Sequence, residues 1–507
     1  MLLLSLSCSS HPCAPDELLT AEGTCVPGSR EEDDTSLPGD DTGDTGEPIE
    51  WTTLPASCEA PADLPDDPLV WMGYDKKGKD EPGPARFAEW VDLDLDGDDA
   101  YAVGQGGLGI FDISDVSAPE FVTWFPEEDD HARYHRVEVL GDGILALSHR
   151  DTGLTVAIRD SAGTWQQHNP VLESGLEGLA WSDPILYTTV RGEGVRAYDF
   201  TDPENPELLT TVAGPETTWD LSEIIEGWTY AADNAGGVYP IDVSDPGNPV
   251  VHDPVPVDGA TLHVEATADY LYVSNGGYGV RVLERSDPSA PTEVALVETG
   301  GSVLMTDTAD GRLWAADHTG VALFDISDPT NPTWLAREVS EQFALAIGAS
   351  GDVGWVGDWN YFSSFQWTGA EAGELSMSDQ EIVLPAEGGS TEVRVTNRGA
   401  GVLELSGATV DSDEVTVEVS GSLLDSGQSA LIRLTYGGGD DLSATLCVAS
   451  NDADGPTQER ELISGVDSGS YIGATATDFT LRDLEGNSHT LSEHLGHPVV
   501  LAYFATW

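Results

Sequence analysis

The sequence predicts an all-β chain with a seven-bladed β-propeller at its centre. Two observations carry this. A frame of the form Gly-[Leu/Val]-x-x-x-Asp-x-[Ser/Thr]-Asp-Pro recurs through the middle of the chain, and each copy lies in a unit that reads as four short strands. The copies are GLGIFDISDV from Gly107, GVRAYDFTDP from Gly194, GVYPIDVSDP from Gly237, GVRVLERSDP from Gly279 and GVALFDISDP from Gly320, with a diverged GLTVAIRDSA from Gly153. Their starts are 46, 41, 43, 42 and 41 residues apart, and a degenerate seventh copy, YFSSFQW at Tyr361–Trp367, keeps the step.

Within a repeat the first strand carries a Val or Leu, as at Val91, Val137, Leu179, Leu221 and Val264. The second is aromatic and small, as in AYAV (100–103), LYVS (271–274) and LWAA (313–316). The Gly-Val strand is third. A Ser-Asp-Pro turn follows, in which the Asp side chain closes the turn and Pro fixes φ. An outer strand ends the unit, as in EFVTWF (120–125). Strands this short with a turn signal every ten or so residues indicate an all-β array, and four per repeat indicate propeller blades. The seventh copy has no outer strand of its own, while PLVWMGY (68–74) stands before the first repeat without a partner. That orphan is expected to complete the seventh blade.

The repeated frame resembles the LVIVD-repeat family of bacterial and archaeal surface proteins over roughly residues 66–370. The resemblance implies the propeller architecture and no particular activity.

Ahead of the propeller the chain reads differently. Residues 1–27 hold an apolar stub, Leu2–Leu6, like the remnant of an export signal. Ser5-Leu6-Ser7-Cys8 partly resembles a bacterial lipoprotein processing site, so Cys8 reads either as a lipid-bearing residue or as half of a disulfide. Cys13 and Cys25 are candidates to pair in an oxidising compartment, with Cys58 as a competitor, whereas Cys447 falls in an apolar strand and reads as inert core. Residues 28–65 are expected to be a disordered acidic linker, being rich in Asp, Glu, Gly and Thr at their start. No run of 18 apolar residues exists, so no membrane-spanning helix is predicted.

Behind the propeller, residues 371–466 alternate as strands around turns. Asn397-Arg-Gly and Ser450-Asn-Asp-Ala-Asp resemble features of immunoglobulin-like domains of the choice-of-anchor type, which implies a β-sandwich. Residues 467–507 contain Gly473-x-x-Ala476-x-Asp478-Phe479, a turn at Asp483-x-x-Gly486, a short helix expected near 492–495, and PVVLAYFATW. This closely resembles the first third of the redoxin group: thioredoxin-like proteins, envelope thiol–disulfide oxidoreductases and peroxiredoxins. In that group the Phe-x-Ala-[Ser/Thr]-Trp strand leads into the reactive Cys. This sequence ends at Trp507, so the segment is expected to be an incomplete α/β thioredoxin-like domain without its catalytic cysteines.

Charge excludes some functions. With 91 Asp and Glu against 20 Lys and Arg, the formal net charge is −71. Such a surface repels phosphate, which excludes nucleic acid as a partner, and it favours solubility in salt and attraction of divalent cations.

Two sets of residues are candidates for a site. The residues entering the inner strands (Glu89, His135, Glu177, Asp220 and His263) and those after the second strands (His149, Arg150, Arg191, Asp233, Asn275, Asp317, His318 and Asp358) share one face of a propeller. They gather His and carboxylates in a chain with 11 His. They read either as a ligand or divalent-metal site at the channel mouth, or as polar lining of a water-filled channel. Separately, Asp92, Asp94, Asp96 and Asp98 resemble the start of a calcium loop, although no Glu follows at the required distance. The alternative is a plain acidic hairpin turn.

Three functional readings follow. The chain is an exported or surface-anchored scaffold displaying a thiol redox domain, a non-catalytic binding or adhesion protein, or a metal-dependent hydrolase. The expected partner is a protein or small-molecule ligand, with Ca2+ the one cofactor considered and a membrane reached only through an N-terminal lipid.

Overall fold

The repeat owes its shape to one glycine and two aspartates. Gly194, Gly237 and Gly279 open their third strands at φ 135°, 90° and 82°. A Cβ at these positions would lie 2.2, 2.3 and 2.1 Å from the carbonyl oxygens of Val212, Val255 and Val297. Only glycine permits both that backbone conformation and that approach. At the other end of the strand the first Asp caps the turn: Ser114, Thr201, Ser244 and Ser327 donate their amides to Asp112, Asp199, Asp242 and Asp325 at 2.7–3.0 Å. The second Asp does so again, as Asp115 does for Ser117 and Asp287 for Ser289. The carboxylates Asp112, Asp199, Asp242 and Asp287 are held below their usual range by the serine or threonine donors.

The computed structural model describes residues 17–19, 25–27, 49, 51–62, 64–76, 88–126, 133–141, 143–171, 174–377, 381–439, 442–453, 455–464, 480–482 and 488–490. Residues 1–49 form one unit, in which Glu17–Leu19 pairs antiparallel with Cys25–Pro27. Cys8, Cys13, the helix expected near 492–495 and PVVLAYFATW lie outside the described residues.

Five separate antiparallel sheets of four strands run through residues 92–125, 136–171, 176–213, 218–251 and 263–297. Two further blades are joined by the 18-residue strand Thr333–Ser350. Its first half pairs with His318–Asp325 as the outer strand of blade 6, and its second half pairs with Val353–Asp358 as the inner strand of blade 7. Blade 7 is completed by Leu69–Lys76, which pairs with Tyr361–Trp367 from Lys76↔Tyr361 to Leu69↔Trp367. The inner strands contact one another in order, and Thr333–Ser350 touches Asp92–Asp96, which closes the ring. The described middle of the chain is therefore a propeller of seven four-stranded blades, each packed on the next through its own apolar cluster.

A two-sheet sandwich follows. One sheet has the order Leu375–Met377, Gly389–Asn397, Ser429–Tyr436, Val415–Val419. The other runs Ile382–Leu384, Thr457–Ser464, Ser443–Ser450, Leu403–Val410, Leu423–Leu424. Both bury alternate residues in one core that includes Leu384, Val395, Ile432, Leu434 and Leu446. Asn397 is fully buried and makes four hydrogen bonds: it accepts from the amides of Glu374 and Gly399 and donates to the carbonyls of Gly401 and Leu424. Asp452 accepts from the Leu375 amide at 2.8 Å. Trp334 of blade 6 donates its indole N–H to Glu374, and Arg398 lies 5.2 Å from the Trp334 ring, linking propeller and sandwich.

Two expectations are corrected. Cys447 is not inert core: it forms a disulfide with Cys58, with Cα atoms 5.8 Å apart. Nor is the whole of 28–65 a free linker. Thr52 exchanges backbone hydrogen bonds with Val419, Leu54 packs on the sandwich core, and Trp51 lies under Arg433. Apolar Trp51 and Leu54 interrupt the acidic composition there and supply the buried surface that the segment before them lacks. No helix among the described residues is long and apolar enough to cross a membrane.

Candidate functional site

In a blade, the inner strand is paired on one side only, and the amides of its free edge need acceptors. The sequence supplies them as carboxylates. Asp92 and Asp94 on the first inner strand accept the amides of Val137 and Val139 on the second, at 2.8 and 2.7 Å. Asp307 accepts Ala349 across blades 6 and 7, and Glu265 accepts the Thr308 hydroxyl across blades 5 and 6. Asp92–Asp96 is a strand rather than a calcium loop. Alternate residues of a strand stand about 6.6–6.8 Å apart along its axis, too far for Asp92, Asp94 and Asp96 to meet on one cation. Among the described residues no three of these carboxylates converge; the one trio of donor atoms within 4.8 Å is Cys58, Cys447 and Glu459, of which the cysteines are bonded to each other.

The carboxylates staple the blades at an electrostatic cost. Burial pushes Asp92 and Asp307 up to about 7 and Asp94 up to about 6. Glu138 and Glu265 rise well above the usual range, first through burial and then through neighbouring carboxylates.

Above this channel a cavity of about 470 Å³ opens at the mouth of the propeller. One wall is apolar and comes from successive blades: Trp219 of blade 4, Leu262 of blade 5, Leu304 of blade 6, and Leu345 and Trp359 of blade 7. The other wall is Arg133, His135, Arg136, His149 and Arg150. The two meet where the Arg150 guanidinium lies 4.8 Å from the centre of the Trp219 ring and His135 tilts against the same ring at 5.8 Å.

Buried carboxylates stand behind the basic wall. Glu177, with no exposed side-chain surface, accepts from Arg150 Nε at 2.7 Å and forms an ion pair with Arg191 Nη2 at 2.8 Å, while those arginines remain 37% and 48% exposed. His135 Nδ1 lies 3.2 Å from Glu177, off the line of a hydrogen bond, and Arg150 Nη2 meets His135 Nε2. Burial, then the charges of Arg136, Arg150 and Arg191, hold His135 well below its usual range, so its ring is neutral. With Nε2 facing a guanidinium, the proton sits on Nδ1. One layer deeper, Arg136 donates to Asp220 at 2.8 Å, and His263 Nε2 lies 3.3 Å from the other oxygen of Asp220. Burial opposes the charge of Arg136, but Asp220 and Asp92 outweigh it and keep the guanidinium protonated. Burial lowers His263 despite Asp220.

The predicted mouth residues thus divide. Glu89, His135, His149 and Arg150 line the cavity; Glu177 and Arg191 support its basic wall; Asp220 and His263 lie beneath it. Asp317, His318 and Asp358 do not line it. Asp317 closes its own hairpin through the amides of Thr319 and Gly320 and pairs with Arg337. Asp358 accepts the Gln342 amide, and His318 lies 4.6 Å from the Phe343 ring. Asp233 likewise caps its hairpin through Ala235 and Gly236. Sequence reasoning missed Trp219, Leu262, Leu304, Leu345 and Trp359. The side chains of Trp219 and Leu262 border the cavity one residue before Asp220 and His263, so a frame shifted by one residue would have found them. Glu89 and Trp359 hold left-handed backbone conformations, at φ 41° and 50°, which a non-glycine residue keeps only where its surroundings enforce it.

Comparison with known proteins bears on the fold. The LVIVD repeat matches residues 91–125, 217–254 and 258–299. No curated protein matches the sequence. Among solved structures, a catalytically inactive virginiamycin B lyase from Staphylococcus aureus, crystallised with quinupristin, shares 9% identity, with 59% of this chain and 98% of that one covered and a TM-score of 0.46. The extracellular domain of a hybrid two-component system from B. thetaiotaomicron shares 12% identity over 79% of this chain and 59% of that one, at a TM-score of 0.45. Likenesses this distant transfer no activity. The middle of the chain is a β-propeller that contains LVIVD repeats at residues 91–125, 217–254 and 258–299.

Proposed function

We propose that the protein is a binding scaffold of the cell surface or envelope whose ligand enters the propeller mouth. The observation that carries this reading is the cavity of about 470 Å³ to which six of the seven blades contribute. Its size falls in the range of small-molecule sites, and its mixture of apolar lining with a few placed polar groups is the usual composition of such sites. The export-like N-terminus and Cys8 support display outside the cytoplasm, and an immunoglobulin-like sandwich behind the propeller fits a spacer in that role. The test is a thermal-shift screen of small molecules on the protein and on Leu304→Trp, which fills the cavity. Ligands that stabilise the first and not the second are expected; equal shifts in both would place binding elsewhere and overturn the reading.

A second reading makes the propeller and sandwich the display arm of a thiol redox enzyme. It is favoured by Gly473-x-x-Ala476-x-Asp478-Phe479 and by Phe504-Ala-Thr-Trp507, which resemble the redoxin approach to the reactive Cys. A Cys-x-x-Cys encoded directly after Trp507, with thiol-dependent reduction of insulin by the gene product, is expected. Other residues there would leave the binding scaffold alone. No observation favours the metal-dependent hydrolase.

A further inference from the structure

We propose that the mouth is built for an amphipathic organic anion: a ring- or chain-bearing apolar body carrying one sulfonate or carboxylate head. The inference rests on reading the mouth as a ligand site and adds the chemistry of the ligand.

The cavity is polarised. Trp219, Leu262, Leu304, Leu345 and Trp359 offer an apolar bed, and none of them is fully buried, so each has surface left to cover. Facing it are Arg133, Arg136 and Arg150, with Arg191 joined to the same carboxylate as Arg150. These are four of only 20 Lys and Arg in a chain of net charge −71. Elsewhere a surface so acidic repels anions; here the cations are concentrated on one arc.

The orientation of the ion pairs matters as much as their number. Glu177 and Asp220 are buried, while Arg150 and Arg191 reach solvent. The negative ends are turned inward and the Arg150 end toward the cavity, so the wall presents donors although its pairs are neutralised. Arg133 adds an exposed cation. Two carboxylates also border the cavity: Asp151 is exposed, and Glu89 interacts with the Arg133 charge. A guanidinium fork matches a carboxylate or sulfonate head, and Trp219 beside Arg150 places an aromatic face next to that fork. A divalent cation is the wrong ligand for this wall, since among the described residues no three acidic or histidine donor atoms of the mouth lie within 4.8 Å.

The test uses two fluorescent probes with one body, 1-anilinonaphthalene-8-sulfonate and N-phenyl-1-naphthylamine, which lacks the sulfonate. The sulfonate is expected to bind at least tenfold tighter despite the charge of the protein. Arg133→Met should weaken it about fivefold or more and leave the neutral probe within twofold, and Leu304→Trp should abolish both. Equal affinities for the two probes, or an Arg133→Met variant that binds the sulfonate unchanged, would overturn the anion assignment while leaving the pocket. Binding of neither probe, or binding untouched by Leu304→Trp, would sink the ligand site along with it.

Discussion

Ring closure by Leu69–Lys76 can be tested with one side chain. Leu69 has no exposed surface and lies in a cluster with Trp314, Leu323, Val356 and Phe365. Leu69→Ala removes three carbons, worth about 2.4 kcal/mol of transfer at about 0.8 per methylene. The cavity left among large neighbours raises the cost to about 3–5 kcal/mol. Leu108, equally buried but inside blade 1, is the reference. If the strand closes the ring, blade 7 cannot open without exposing its contacts with blade 1, where Gly73 approaches Ser117 so closely that a Cβ would lie 2.2 Å from its carbonyl oxygen. The two variants should then shift the main urea transition, followed by tryptophan fluorescence, by similar amounts. A Leu69→Ala variant that leaves this transition in place while Leu108→Ala moves it would show the strand to be a detachable attachment, and the closure argument would fail.

Other perturbations follow from the same contacts. Carboxylates whose native pKa is raised hold protons that the unfolded chain has already released, so their stabilisation is complete below the ordinary carboxylate range and is lost as pH rises through the native value. With Asp92 and Asp307 near 7 and Glu138 and Glu265 well raised, this contribution to stability should be lost as pH rises from about 4.5 to about 7. The lowered His135 and His263 act in the opposite sense, because unfolded imidazoles keep their protons up to about 6.5; the melting temperature of the wild type should therefore fall relative to that of Glu138→Gln across this range, and a constant difference would refute the assignment. Replacing Cys58 and Cys447 by Ser frees a cross-link between residues 389 apart and should cost about 2–5 kcal/mol, read as lower chemical stability that reductant no longer affects. Arg136→Met leaves Asp220 buried with one partner and should cost about 3–5 kcal/mol; Arg136→Met/Asp220→Leu should recover most of it in a double-mutant cycle.

The architecture was legible because its causes are local. A glycine against a neighbouring carbonyl, and an Asp closing a turn, leave the same letters in most of the repeats. Leu69–Lys76 was legible by counting, since the last copy lacked an outer strand. Cys58–Cys447 was not, because the two ends of a bond spanning most of the chain share no local signal, and an apolar strand around Cys447 looks the same whether its thiol is free or bonded. Asp92-x-Asp94-x-Asp96 misled because alternate carboxylates serve two geometries equally well: a loop that wraps a cation and a strand that feeds the amides of its neighbour. At the mouth the polar letters were conspicuous and the apolar ones were not. Trp219 and Leu262 look like ordinary core until the blades are arranged around an axis and their side chains border the cavity.

The scarcity of cations gives the mouth an unusual relation to salt. An anion approaching this protein first meets the field of its net charge and only then the arginines. The repulsion acts over many ångströms, whereas a head group held by Arg133 or Arg150 sits at hydrogen-bond distance, about 3 Å. Screening removes the two at different salt concentrations, because the Debye length is about 30 Å at 0.01 M, 10 Å at 0.1 M and 3 Å at 1 M. Raising salt from 0.01 to 0.1 M should therefore strengthen binding of the sulfonate probe, and only above about 0.1 M should the contact itself weaken. An ordinary anion site on a basic protein loses affinity from the first addition of salt. A steady loss from 0.01 M upward here would mean that the arginines dominate the field far outside the cavity, and the picture of a narrow basic arc within an acidic surface would not survive it.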